Sequence, residues 1–127
     1  MNQEVADAIE ELKVAYPSSR VTVTEDGQGG AYVIVEEVDL GSRLEPRTSW
    51  MGGHITALYP YADIYPLFID AAVRRSDGQP FQIPITHGHM FQGRPALQVS
   101  RINRQVQLTT QTAVMRFKKT LDFLETF

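Results

Sequence analysis

Along the first sixteen residues the apolar positions recur at helical steps. Val5, Ile9, Leu12 and Tyr16 are spaced by four, three and four residues, so one stripe is apolar while Glu4, Asp7, Glu10 and Glu11 face water. Asn2 stands where an N-cap is needed, and Pro17-Ser18-Ser19 ends the pattern. The period then drops to two. Val21-Thr22-Val23-Thr24 alternates as a strand, Asp26-Gly27-Gln28-Gly29-Gly30 reads as a turn, and Ala31 to Val35 reads as the hairpin partner. A third strand is expected from Thr48 to Leu58, where Gly52-Gly53 marks a bulge or a close backbone approach. A fourth is expected around Leu67 to Ala71. Consecutive strands joined by short turns predict an antiparallel meander.

From Arg74 to Val106 glycine and proline (Gly78, Pro80, Pro84, Gly88, Gly93, Pro95) interrupt every run, so a long loop is expected. Its apolar residues, Phe81, Ile83, Ile85, Met90, Phe91, Leu97 and Val99, predict that it is packed rather than solvated. Thr109 or Thr110 then caps a helix reaching nearly to Phe127, with Val114, Phe117, Leu121 and Leu124 as its core stripe. The pattern as a whole reads as one α+β domain over residues 1–127: a helix, a four-stranded antiparallel meander, a long packed loop and a helix.

Composition narrows the chemistry. At 43% hydrophobic and 21% charged the chain suits a folded domain with one core. Its net charge of −3 argues against general nucleic-acid binding, which needs a basic surface. No apolar run is long enough to span a bilayer, and the polar, acidic start is unlike a secretory signal, so a cytoplasmic location is expected. The absence of cysteine excludes disulfides, thiolate metal sites and a thioester intermediate.

Several motifs fall in a telling order. Tyr59-Pro60 is followed by Pro66, then by His87-Gly88-His89, then by Gly93-Arg94-Pro95-Ala96-Leu97. The series resembles the core of the ubiquitin-conjugating enzyme family. There a tyrosine-proline turn and a later proline precede the fourth strand, a histidine-proline-asparagine motif follows, and a glycine, two residues, cysteine and leucine carry the nucleophile. The resemblance implies a ubiquitin-conjugating-like fold, truncated after the second helix, in which the long loop is the family's flap. It also implies that Ala96 stands at the cysteine position and His89 at that of the asparagine. Such a chain would be a non-catalytic module, similar to divergent bacterial members. It would bind a ubiquitin-like protein, or its activating or conjugating enzyme, with neither nucleic acid nor membrane as a partner. The alternative is an active conjugating enzyme whose cysteine has been replaced by Ala96.

Other chemistry would rest on individual residues. Ala96 has no lone pair and is no nucleophile. His87 and His89, spaced to share one face of an extended segment, could bind zinc with His54 or Asp63 as a third ligand, and a metal-dependent enzyme is the reading that follows. The competing reading is that His87 bonds flap backbone and His89 is solvated. Asp70, Asp77 and Glu45 are too scattered for acid–base work. Arg94, Arg101, Arg104, Lys118 and Lys119 form a modest basic concentration that reads best as a solvated face. Gly27-Gln28-Gly29-Gly30 lacks the lysine of a phosphate loop, and Ser100 lacks a neighbouring base. Trp50 and the run from Tyr59 to Tyr65 supply aromatic side chains for the core, with a fraction left for an interface. A third reading is a small α+β domain with a ligand cleft under the flap.

Overall fold

The first helix, α1 (Gln3–Ala15), begins where the pattern places it. The Asn2 side-chain oxygen accepts from the Val5 N–H at 3.0 Å, and Val5, Ala8, Ile9 and Leu12 are buried. The computed structural model describes residues 1–100 and 112–127. After α1 come β1 (Val21–Glu25), β2 (Ala31–Asp39), β3 (Leu44–Glu45), β4 (Thr48–Ile55), β5 (Leu67–Asp70), β6 (Arg74–Arg75), β7 (Ile85–Phe91), β8 (Arg94–Val99) and α2 (Ala113–Leu124). Thr112 caps α2 by accepting from the Met115 N–H; the expected caps Thr109 and Thr110 lie outside the described residues.

The architecture is α+β, with two helices and an antiparallel sheet of six strands in the order β1-β2-β4-β5-β8-β7 among the described residues. β3 and β6 form a separate two-stranded ribbon. The expected meander is present as β1-β2-β4-β5. The region from Arg74 to Val99, expected as an irregular loop, instead carries the β7–β8 hairpin, which adds two strands beside β5. Three breaker residues had hidden it. Gly88, at φ +83°, allows the one-residue bulge that shifts β7 against β8 between Thr86 and His89. Gly93 takes φ +78° in the two-residue turn. Pro95 lies one position past the last β5 pairing, Asp70 with Ala96; its carbonyl still accepts from the Ala71 N–H at 3.1 Å, and its missing N–H ends the ladder there.

The alternation along each strand sorts the side chains onto two faces. Val33, Val35, Met51, Ile55, Leu67, Ile69, Leu97 and Val99 form one core with Val5, Ile9 and Leu12 of α1 and Phe117 and Leu124 of α2. Ile34, Trp50, Phe91 and Ala96 form a second buried cluster, with Tyr32 and Phe68 packed against it. Of the expected α2 stripe, Phe117 and Leu124 are fully buried while Val114 and Leu121 pack at its margin. Among the described residues, no helix is long and apolar enough to cross a membrane.

Candidate functional site

The flap motifs lie on the β7–β8 hairpin, so its path decides what they can do. The Phe91 ring lies over Gly52 of β4, where a Cβ would come within 2.6 Å of Phe91 Cε2. The ring stacks on Phe68 at 4.7 Å between centroids and on Trp50 at 6.2 Å. Across the Gln92-Gly93 turn, Arg94 extends to β2, donating to both carboxylate oxygens of Glu36 at 2.7 and 2.9 Å, and its guanidinium sits over the Trp50 ring at 5.4 Å. The hairpin thus curls onto the face of the sheet away from the helices. Sequence reasoning missed this arrangement; the signal available was Gly52-Gly53, read as a bulge or a close backbone approach, and the second of these is what Gly52 makes.

Ala96 lies beneath that aromatic cluster. It pairs with Asp70 on one side and His89 on the other, is 1% exposed, and points among Ile34, Trp50 and Phe91. A larger side chain at 96 would meet packed rings rather than an open groove. Among the described residues, Trp50, Phe68 and Phe91 pack together between the hairpin tip and the sheet.

The histidines do not converge. The bulge at Gly88 places Thr86 and His89 on one face, where the Thr86 hydroxyl and His89 Nε2 lie 2.8 Å apart. His87 falls on the opposite side, its ring 6.3 Å from that of Phe81, a residue packed against the helix-side core. The expectation that both share a face is overturned by this extra residue. His54, on β4, lies 2.7 Å from Asp26 Oδ2 and stacks on Tyr32 at 4.2 Å. Asp63 accepts from Arg116 Nε at 3.0 Å. Among the described residues, no group of three His, Asp or Glu side chains is placed to hold a metal ion.

Asp26 holds the β1–β2 turn as well as His54. Its Oδ1 accepts from the N–H groups of Gln28 and Gly30, and the His54 hydrogen bond, then that from Gln28, hold its carboxyl below the ordinary value. The glycine-rich segment is therefore the hairpin turn expected of it. Asp70 bonds the Ala72 N–H, Asp77 the Arg75 guanidinium and Gln79 N–H, and Glu45 is held by Arg74; all three serve local structure. Ser100 accepts from the Gln98 amide. The basic concentration is partly internal, with Arg94 on Glu36 and Lys118 on Asp122, while Arg101 and Arg104 lie outside the described residues.

Among the described residues, the segment from Thr56 to Pro66 carries three exposed large apolar side chains, Leu58, Tyr61 and Tyr65. Its first aromatic is anchored: Tyr59 is 8% exposed, and its hydroxyl accepts from the Ala113 N–H at the start of α2 at 3.1 Å. Burial raises the Tyr59 phenol above its ordinary value. The Asp63–Arg116 pair ties the same loop to α2 a second time, with Arg116 2% exposed. Around these anchors Leu58, Tyr61 and Tyr65 stand out, at 70, 85 and 44% exposure. Trp50 and Tyr59 thus belong to the interior, and Tyr61 and Tyr65 to the surface, as the aromatic composition had suggested. Pro60 and Pro66 bracket Tyr61 and Tyr65. Compared with family models, curated proteins and solved structures, the chain matches none of them.

Proposed function

We infer that this chain is a non-catalytic module of the ubiquitin-conjugating-like type, which binds a ubiquitin-like protein, or its activating or conjugating enzyme, in a bacterial protein-modification system. The observation that carries the reading is the exposure of Leu58, Tyr61 and Tyr65 on a loop tied to α2 at Tyr59 and Asp63. Tyrosine offers a large contact area with few rotatable bonds to order, and a wet hydroxyl on an apolar ring suits a protein interface. The helix, the four-stranded meander and the Tyr59-Pro60 turn support the kinship with that family.

The placement of position 96 favours the non-catalytic form over the enzyme. A transferring thiol must meet the carbonyl of a bulky donor and then release it to an acceptor. A side chain at 96 is closed under Trp50 and Phe91. Ala96→Cys is therefore expected to stay unreactive toward a thiol reagent in the folded protein and to react on unfolding. With ATP and the ubiquitin-like protein and activating enzyme of its own host, it should form no thioester. The wild-type chain should bind one of those proteins reversibly, and Tyr61→Ala should weaken binding at least about tenfold. A thioester on Ala96→Cys would overturn the non-catalytic assignment, and a complex indifferent to Tyr61→Ala would overturn the binding surface.

A further inference from the structure

The two edges of the sheet are built differently. At one edge β7 starts after Pro84 and is broken by the bulge at Gly88, devices that keep an edge from pairing with another strand. At the other, β1 runs Val21-Thr22-Val23-Thr24-Glu25 in unbroken register with β2, without proline, bulge or lysine. The phase of its hydrogen bonds is fixed at both ends. The Glu36 N–H donates to the Arg20 carbonyl at 3.0 Å, and the Asp26 N–H donates to the Gly30 carbonyl at 3.1 Å. In an antiparallel pair bonding alternates, so even-numbered residues turn their polar backbone groups toward β2. Val21, Val23 and Glu25 turn theirs outward, where no strand pairs with them among the described residues.

We propose that β1 pairs antiparallel with β1 of a second copy of this chain, forming a two-fold dimer with one continuous sheet. The register is dictated by the outward groups. Val23 faces Val23 of the second copy on the two-fold axis and Val21 faces Glu25, each pair exchanging two backbone hydrogen bonds, while Thr22 faces Thr24. Side-chain chemistry agrees with this register. Val21 and Val23 are half-buried against the helix-side core, and a second Val23 covers what is left open. The threonines meet on the other face, where both are exposed. One step beyond the ladder, Arg20 comes opposite Asp26 of the second copy at both ends, and no like charges oppose one another. Shifting the register by one residue would bring outward groups against inward ones and set Val23 against a threonine.

Sedimentation equilibrium on the purified chain, across roughly micromolar to millimolar concentration, tests the pairing. The weight-average mass should rise toward that of a dimer. Amide exchange read by NMR should protect Val21, Val23 and Glu25 as well as Thr22 and Thr24 at high concentration, and only the latter two on dilution. Val23→Pro removes the outward N–H on the axis but none of the bonds to β2, and should weaken association at least about tenfold. Exchange on the wild-type chain decides independently if that variant does not fold. A monomer throughout with fast exchange at the odd positions overturns the proposal. So does a dimer unaffected by Val23→Pro, or β1 protection that appears only with an added ubiquitin-like protein.

Discussion

At position 52 a Cβ would stand 2.6 Å from Phe91 Cε2 and 2.9 Å from the Val33 carbonyl oxygen, so two packed groups claim the same space. The Phe91 ring cannot simply swing away, because Phe68 and Trp50 hold its faces. Gly52→Ala is therefore expected to cost roughly 1–3 kcal/mol in urea unfolding, the range of overpacked cores, with a change in Trp50 emission. An unaltered midpoint would mean that the ring does not rest on Gly52. Gly53 is confined in the same way on the other face, by Leu67 and Ile64. Adjacent glycines inside a strand were the sequence's sign of a bulge or of such a close approach. What they could not say is which residue comes close, since Phe91 arrives from a strand that does not pair with β4.

Whole elements were legible where one local signal sufficed. α1 was readable from its Asn2 cap and its stripe, and the β1–β2 hairpin from alternation around a turn rich in glycine. β7 and β8 were not, because the features that make a defended, curled hairpin (Gly88, Gly93 and Pro95) are those that read as loop. The same hairpin decided the candidate site, since its bulge separates His87 from His89 and its Phe91 packs in the cluster that encloses Ala96. The loop from Thr56 to Pro66 depends on contacts between elements, which sequence spacing does not disclose. Tyr59→Phe removes the acceptor of the Ala113 N–H, leaving a buried donor unsatisfied. The expected loss is about 1–3 kcal/mol, with faster amide exchange at the first turn of α2. An unchanged stability would mean that the loop and α2 are not coupled through this bond.

Over the whole molecule, three aspartates have depressed values for three local reasons: His54 on Asp26, Arg47 on Asp39 and Arg75 on Asp77. A carboxylate whose folded value lies below its unfolded one stabilises the fold fully above the unfolded value, near about pH 4. That contribution disappears as pH falls through the folded value. Stability should therefore be level at neutral pH and decline in acid. Asp26→Asn should flatten the decline most, because its side chain is 7% exposed against 60% for Asp39 and 46% for Asp77, where solvent screens the ion pairs. Urea midpoints of the three Asp→Asn variants across the acid range check this, and equal effects would contradict it. The helices raise a question of timing as well. α1 precedes every strand and α2 follows them all, yet the two pack together, with the Tyr16 and Phe117 rings 6.4 Å apart. During synthesis the meander can form while the nascent chain is still lengthening, but the layer above it stays half-built until α2 has left the ribosome. Until then α1 keeps one flank of its apolar stripe uncovered, and this interval is when the newborn chain is most open to chaperones and to misassociation.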